Sequence, residues 1–210
     1  MSAREEILAR VQSAKVAPTA HAIRRGYAHT QDLPDPVGMF VERVEDYRAT
    51  VIRTRPEAVA EAVATSLEGA VRVVVPTGFN PSWLPGGLDI VMDEPALSSD
   101  DLDRVDAVVT SAVVGIAVTG TIVLDHTEGQ GRRALTLVPD VHVCVVTADQ
   151  VVGDVPEAVA RLSASVKAGR PLTWISGGSA TVDIELQRVE GVHGPRTLCV
   201  VLVESATAQH

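Results

Sequence analysis

The residues that point most directly at chemistry are Ser176, Gly177, Gly178 and Ser179, which follow the apolar run Thr173 to Ile175. Glycines let backbone amides approach an anion, and a helix starting behind such a loop adds partial positive charge. The pattern predicts a strand over Thr173 to Ile175, a ligand-binding loop over Ser176 to Ser179, and a helix from about Ala180 to Glu190 bearing Thr181, Asp183 and Glu185. The loop holds no lysine and fits neither G-x-x-x-x-G-K-[ST] nor G-x-G-x-x-G, so it is not a nucleotide loop of either standard kind. Asp183 and Glu185 have two readings: carboxylates available for catalysis, or acidic residues that complement the helix dipole by themselves. His193, within Gly191-Val192-His193-Gly194-Pro195, is the leading acid–base candidate, because a short turn between helix and strand can aim an imidazole at the Ser176 to Ser179 loop. The alternative is a ring that satisfies a backbone carbonyl at the helix end.

Thr119, Gly120 and Thr121 form a second candidate ligand-binding segment, in which a glycine between two hydroxyl residues brings amides against a carbonyl or carboxylate. A bulge between strands explains the same residues. Asp125, His126 and Glu128 have metal-ligand side chains, but beside Gly129 and Gly131 they read as an ordinary turn, and no metal site is expected. His142 alternates with Val141 and Val143 and is expected to face solvent or a hydrogen-bond partner. There is no G-x-S-x-G elbow and neither cysteine has a histidine nearby in sequence, so covalent hydrolase chemistry has no support, and no cofactor motif is present.

The elements needed to position these residues alternate between strand and helix. Ser2 to Ala14 reads as a surface helix with Ser2 as its cap and Glu5 as capping-box partner. Lys15 to Pro36 has no period and is expected to be an arm, either a solvated connector or a cover for a substrate. Helices are expected over Val37 to Tyr47, Pro56 to Leu67 and Val155 to Ala168, with a turn or two over Asp100 to Val105. Strands are expected over Thr50 to Arg53, Val71 to Val75, Leu88 to Met92, Val141 to Thr147 and Thr197 to Val203. Pro76 to Gly87 is a loop after a strand end and a candidate pocket wall. The order predicts an α/β fold with a mainly parallel sheet flanked by helices, residues 1–36 forming an N-terminal helix and arm and residues 37–210 the α/β domain.

Composition narrows the function classes. The 210 residues are 46% hydrophobic, enough for one sizeable core. With 27 acidic against 18 basic residues the formal charge is -9, which repels a phosphate backbone, and 3% aromatic content leaves few stacking platforms, so nucleic acid is excluded as a partner. Ala107 to Leu124 carries no charge, yet Gly115 and Gly120 interrupt it and Val and Thr dominate it, which favours two buried strands over a membrane span. Cys144 and Cys199 sit in apolar runs as small hydrophobes; an iron–sulfur cluster needs about four thiolates and is not held by this chain alone. The charged N-terminal residues lack the apolar core of a signal peptide, and a cytoplasmic location is expected.

The tail from Ile175 to Val203, ISGGSATVDIELQRVEGVHGPRTLCVVLV, resembles the signature of the LUD-domain family, whose members include lactate-utilization proteins of the C type (LutC-like). Gly120 to Leu124, Arg132 to Val146 and the run from Glu42 to Val51 stand in the family's order, so the resemblance covers most of the chain. It implies a fold similar to the NagB/RpiA/CoA-transferase superfamily. It also implies a non-redox subunit of a system that oxidises L-lactate to pyruvate beside iron–sulfur partner subunits. Ser179, Thr181, Asp183, Glu185, His193 and Gly194 match the family motif. Relatives carry Glu where this chain has Val118, so a CoA-transferase nucleophile is not implied. The alternative from the residues alone is a free-standing enzyme or binding protein for a phosphorylated or CoA-linked small-molecule anion, bound at Ser176 to Ser179.

Overall fold

The computed structural model describes residues 2–14, 26–181, 189–191 and 193–204, with backbone alone for Thr181, Val189 and Glu190. In chain order the elements are α1 (Ala3–Ser13), α2 (Pro36–Asp46), β1 (Thr50–Thr54), α3 (Val59–Ser66), β2 (Arg72–Val75), β3 (Asp89–Met92), α4 (Ser99–Leu102), β4 (Ala107–Ser111), β5 (Val114–Ile116) and β6 (Thr121–Leu124). Then follow β7 (Val141–Thr147), β8 (Val151–Val152), α5 (Val155–Arg161), α6 (Ser163–Lys167), β9 (Thr173–Ile175), β10 (Ala180–Thr181), β11 (Val189–Glu190) and β12 (Thr197–Val203).

The valine-rich runs form one six-stranded sheet in the order β1-β12-β7-β4-β2-β3, every pair parallel. A parallel sheet is covered on both faces, and this is why its strands read as continuous apolar runs rather than alternating ones. On β7, Val143 and Val145 pack under α3 with Val59, Ala62 and Val63, while Cys144 and Val146 pack on the opposite face under Phe40 and Val44 of α2. Phe40 and Val44 are one helical turn apart and fully buried, so they form the stripe by which α2 is held.

The α/β expectation stands, with three corrections. The uncharged run Ala107 to Leu124 makes three strands in two sheets: β4 stays in the main sheet, then the chain turns off and β5 and β6 form an antiparallel pair in a second sheet, β8-β5-β6-β9. Ile122 and Leu124 of β6 face the main sheet, and Val123 faces Ala158 and Leu162 beneath α5, so both sides are buried and no charge is tolerated. Among the described residues no helix is long and apolar enough to cross a membrane. The expected helix Val155 to Ala168 is two short helices broken at Leu162. The expected helix from Ala180 to Glu190 is replaced by an antiparallel pair, Ala180 opposite Glu190 and Thr181 opposite Val189. Residues 182–188 lie outside the described residues, and among the described ones the glycine loop leads directly into strand rather than helix.

The first helix has the predicted capping box, with the Ser2 hydroxyl accepting from the Glu5 amide at 3.3 Å and the Ser2 amide donating to the Glu5 carboxylate at 2.7 Å. Of the expected arm, residues 15–25 lie outside the described residues. Its later part is tied to the body: the Gln31 amide donates to Glu157, and Leu33 packs on the cluster around Phe40. Pro76 to Gly87 closes over the α3 face through Phe79 and Trp83, whose rings meet edge to face at 5.8 Å.

Candidate functional site

A cleft of about 230 Å³ opens where the second sheet meets the main one. Its wall is Trp174 and Ile175 of β9, then Ser176, Gly177, Gly178, Ser179 and Ala180; its far side is His193, Gly194 and Pro195; its floor is Leu198 of β12 with His142 of β7, completed by Arg133 and Thr136. Leu198 and His142 are register partners on adjacent parallel strands, so the floor is set by strand pairing. The loop is pinned by its own backbone: the Ser179 amide donates to the Pro195 carbonyl at 2.8 Å, the Gly191 amide donates to the Ser179 carbonyl at 2.9 Å, and the His193 amide donates to the Ser179 hydroxyl at 3.1 Å. Gly177 has φ +86°, and a Cβ there would lie 2.6 Å from Cβ of Tyr47 at the end of α2, so only glycine suits this turn.

The cleft thus gathers six of the residues singled out from sequence: Ser176, Gly177, Gly178, Ser179, His193 and Gly194. Asp183 and Glu185 lie outside the described residues, and of Thr181 only the backbone is described, in β10. Thr119, Gly120 and Thr121 do not line the cleft. The two threonines reach it through hydroxyls, Thr119 to Thr121 and Thr121 to Ser176, each 2.8 Å apart. Gly120 has a packing reason: at φ +56° its missing side chain lets the β5–β6 turn lie against the α2 backbone, with an added Cβ 2.6 Å from the Arg43 carbonyl carbon. Asp125, His126 and Glu128 form the expected turn. The buried Asp125 carboxylate accepts from Thr127 and Ser165. Burial pushes its pKa up, but these hydrogen bonds more than reverse the effect and hold it below the usual carboxylate value.

Sequence reasoning missed two members of the site, Arg133 and His142. Of the two expectations for His142 the hydrogen-bond partner holds and solvent does not: it is 1% exposed, and its Nε2 lies 2.8 Å from the Thr110 hydroxyl. Burial first, and then the charge of Arg133, lower its pKa from 6.5 to about 4, so the ring is neutral near pH 7. Arg133 follows β6 through a glycine-containing turn and sits in a short 3-10 segment, where its Nη1 donates to the Thr136 carbonyl (2.9 Å) and hydroxyl (2.8 Å). The signal that could have found His142 is its place, a lone imidazole in a strand buried on both faces, where a polar group must have a partner. In a chain of net charge -9, the described residues lining the cleft include Arg133, His142 and His193 and no carboxylate. The arrangement suits an anion.

Residues 37–203 match the family model of the LUD domain. Lactate utilization protein C of Deinococcus radiodurans is 54% identical over 164 residues, covering 78% of this chain and 77% of the relative. Lactate utilization protein C of Bacillus licheniformis is 24% identical over 204 residues, covering 88% and 83%. Among solved structures, the crystal structure of a DUF162 family protein from Deinococcus radiodurans superposes with a TM-score of 0.73 at 47% identity, covering 80% of this chain and 96% of that one.

Proposed function

This chain belongs to the LUD-domain family, and on that premise we propose that it is a lactate-utilization-protein-C-type subunit of a lactate-oxidising system whose iron–sulfur partner subunits accept the electrons released when L-lactate becomes pyruvate. The observation that carries the proposal is the 54% identity with a protein of that name over most of both chains. Two features of this chain support it. Both cysteines are buried in the sheet, where burial pushes the Cys144 thiol up to about 12 and raises that of Cys199 as well, so neither is a ready thiolate ligand or nucleophile. The cleft offers what a small-anion site needs, a guanidinium and a glycine-rich turn away from any described carboxylate.

The test is association and growth. The tagged chain, expressed from its native locus, is expected to co-purify with iron–sulfur proteins, and its deletion is expected to abolish growth on L-lactate while leaving growth on pyruvate intact. Unimpaired growth of the deletion strain on lactate would defeat the proposal. The same basic cleft also favours a second reading, a free-standing binding protein or enzyme for a phosphorylated or CoA-linked anion. That reading requires a thermal shift with such a compound, about 2.7 kcal/mol at 100 times its dissociation constant.

A further inference from the structure

We infer that the cleft between the two sheets is a recognition site for a short 2-hydroxy monocarboxylate, its carboxylate held by the Arg133 guanidinium and its hydroxyl donating to the imidazole of His142. The inference rests on the functional proposal only for the choice of L-lactate as first probe; the chemistry comes from the cleft itself.

Three observations lead to it. The first is the guanidinium. Nη1 of Arg133 is committed to Thr136, and no described carboxylate pairs with this arginine. Among the described residues Nε and Nη2 have no hydrogen-bond partner, which leaves the parallel pair of donors that matches a carboxylate. The second is the tautomer of His142. The Thr110 hydroxyl donates to Sγ of Cys144 at 3.6 Å, so its lone pairs are what face Nε2 of His142 at 2.8 Å. On that basis we assign the hydrogen to Nε2 and the lone pair of this neutral ring to Nδ1. A hydrogen-bond acceptor on the floor of a cleft favours a ligand with a hydroxyl over one with a keto oxygen, because two lone pairs repel. The third is size. About 230 Å³ lies below the roughly 300–1,000 Å³ of sites for drug-sized ligands, which fits a three- or four-carbon acid and leaves no room to enclose a nucleotide moiety. Leu198 and Ile175 supply the apolar contact for its carbon end.

The experiment is calorimetric titration of the purified full chain at about pH 7 with L-lactate, propionate, pyruvate and inorganic phosphate. L-lactate is expected to bind at least about tenfold more tightly than propionate, which lacks the hydroxyl, and more tightly than pyruvate. Arg133→Gln is expected to abolish binding of both L-lactate and propionate with an unchanged circular dichroism spectrum. His142→Gln is expected to bring the lactate-to-propionate ratio close to one; if that variant fails to fold, Thr110→Val, which removes the group fixing the tautomer, is expected to narrow the same ratio. Equal binding of L-lactate and propionate by the unaltered chain would overturn the inference, as would phosphate as the tightest ligand or no binding of L-lactate up to millimolar concentrations. A chain that co-purifies with iron–sulfur proteins but fails this titration refutes the recognition site alone. A chain that binds L-lactate but never associates with them refutes the subunit role alone.

Discussion

Lowering the pH should unfold this protein in a way that singles out His142. In the unfolded chain its imidazole titrates near 6.5; in the folded chain burial and the Arg133 charge bring that to about 4. The folded pKa is depressed, so the unfolded state binds more protons between these values. The stability is fully present above about pH 6.5 and is lost as the pH falls toward about 4. The drop from 6.5 to about 4 is worth about 3 kcal/mol in full, and most of that is lost between about pH 7.5 and about pH 4.5. Urea denaturation of the unaltered chain and of His142→Gln at both pH values isolates the effect, because every other titrating group is common to the two. The variant starts less stable at the higher pH, having lost a buried hydrogen bond, but is expected to lose about 2 to 3 kcal/mol less on acidification. Equal losses for the two proteins would show that His142 is not held neutral by its surroundings.

Three other perturbations follow from the same geometry. Gly177→Ala must place a Cβ 2.6 Å from the Tyr47 side chain at φ +86°, so a loss of about 2–3 kcal/mol in chemical denaturation is expected, together with weakened ligand binding; a change below about 0.5 kcal/mol would contradict the close approach. Asp125→Ala leaves the Ser165 hydroxyl without its acceptor in a buried place and is expected to cost about 1–3 kcal/mol, whereas the double change Asp125→Ala, Ser165→Ala should cost less than the sum of the single changes. Cys144 and Cys199 should resist alkylation in the native protein and react at a rate that follows unfolding in urea; rapid native labelling of Cys144 would refute its burial.

The centre of the main sheet was legible because β4, β7 and β12 are buried on both faces. Val141–Thr147 and Thr197–Val203 are unbroken β-branched runs, and such runs have few other places to go. The two ends of the expected helix, Ala180–Thr181 and Val189–Glu190, are strand, and the sequence carries a reason. Val182, Ile184 and Leu186 alternate with Asp183, Glu185 and Gln187, a period of two that signals strand, and the likeness of Ser176 to Ser179 to an anion loop drew attention to a helix instead. Residues 182–188 lie outside the described residues; the described ends pair as strands, Ala180 with Glu190 and Thr181 with Val189. Arg133 and His142 are at the site for reasons that local pattern does not encode. One is delivered by a 3-10 turn, and the other by the register that sets His142 between Val108 and Leu198.

Open α/β sheets most often bind ligands at the carboxyl ends of their strands, and this protein has a groove there, lined by Pro76, Thr77, Asp93, His126, Glu128 and Arg132. In that groove Arg132 and Asp93 are spent on each other, and the imidazole on neutral partners. Arg132 grips Asp93 through Nε at 2.7 Å and Nη2 at 2.9 Å and also donates to the Leu97 carbonyl, and both ring nitrogens of His126 are engaged, by the Gly131 carbonyl and the Thr173 hydroxyl. The cleft at the other end, where His142 and Leu198 begin their strands, keeps a guanidinium that faces no described carboxylate. Two adjacent arginines should therefore part company. Arg132→Gln strips the partner from an Asp93 side chain that is only 8% exposed, and since the arginine itself is 39% exposed the expected loss is about 2 kcal/mol, below the 3–5 of a fully buried pair, with L-lactate binding unchanged. Arg133→Gln, which among the described residues loses two hydrogen bonds to the buried Thr136, should cost about 1–3 kcal/mol of stability and should remove anion binding. Urea midpoints and titration calorimetry on the two variants decide it, and a binding loss that follows Arg132 instead would move the site to the carboxyl ends of the strands.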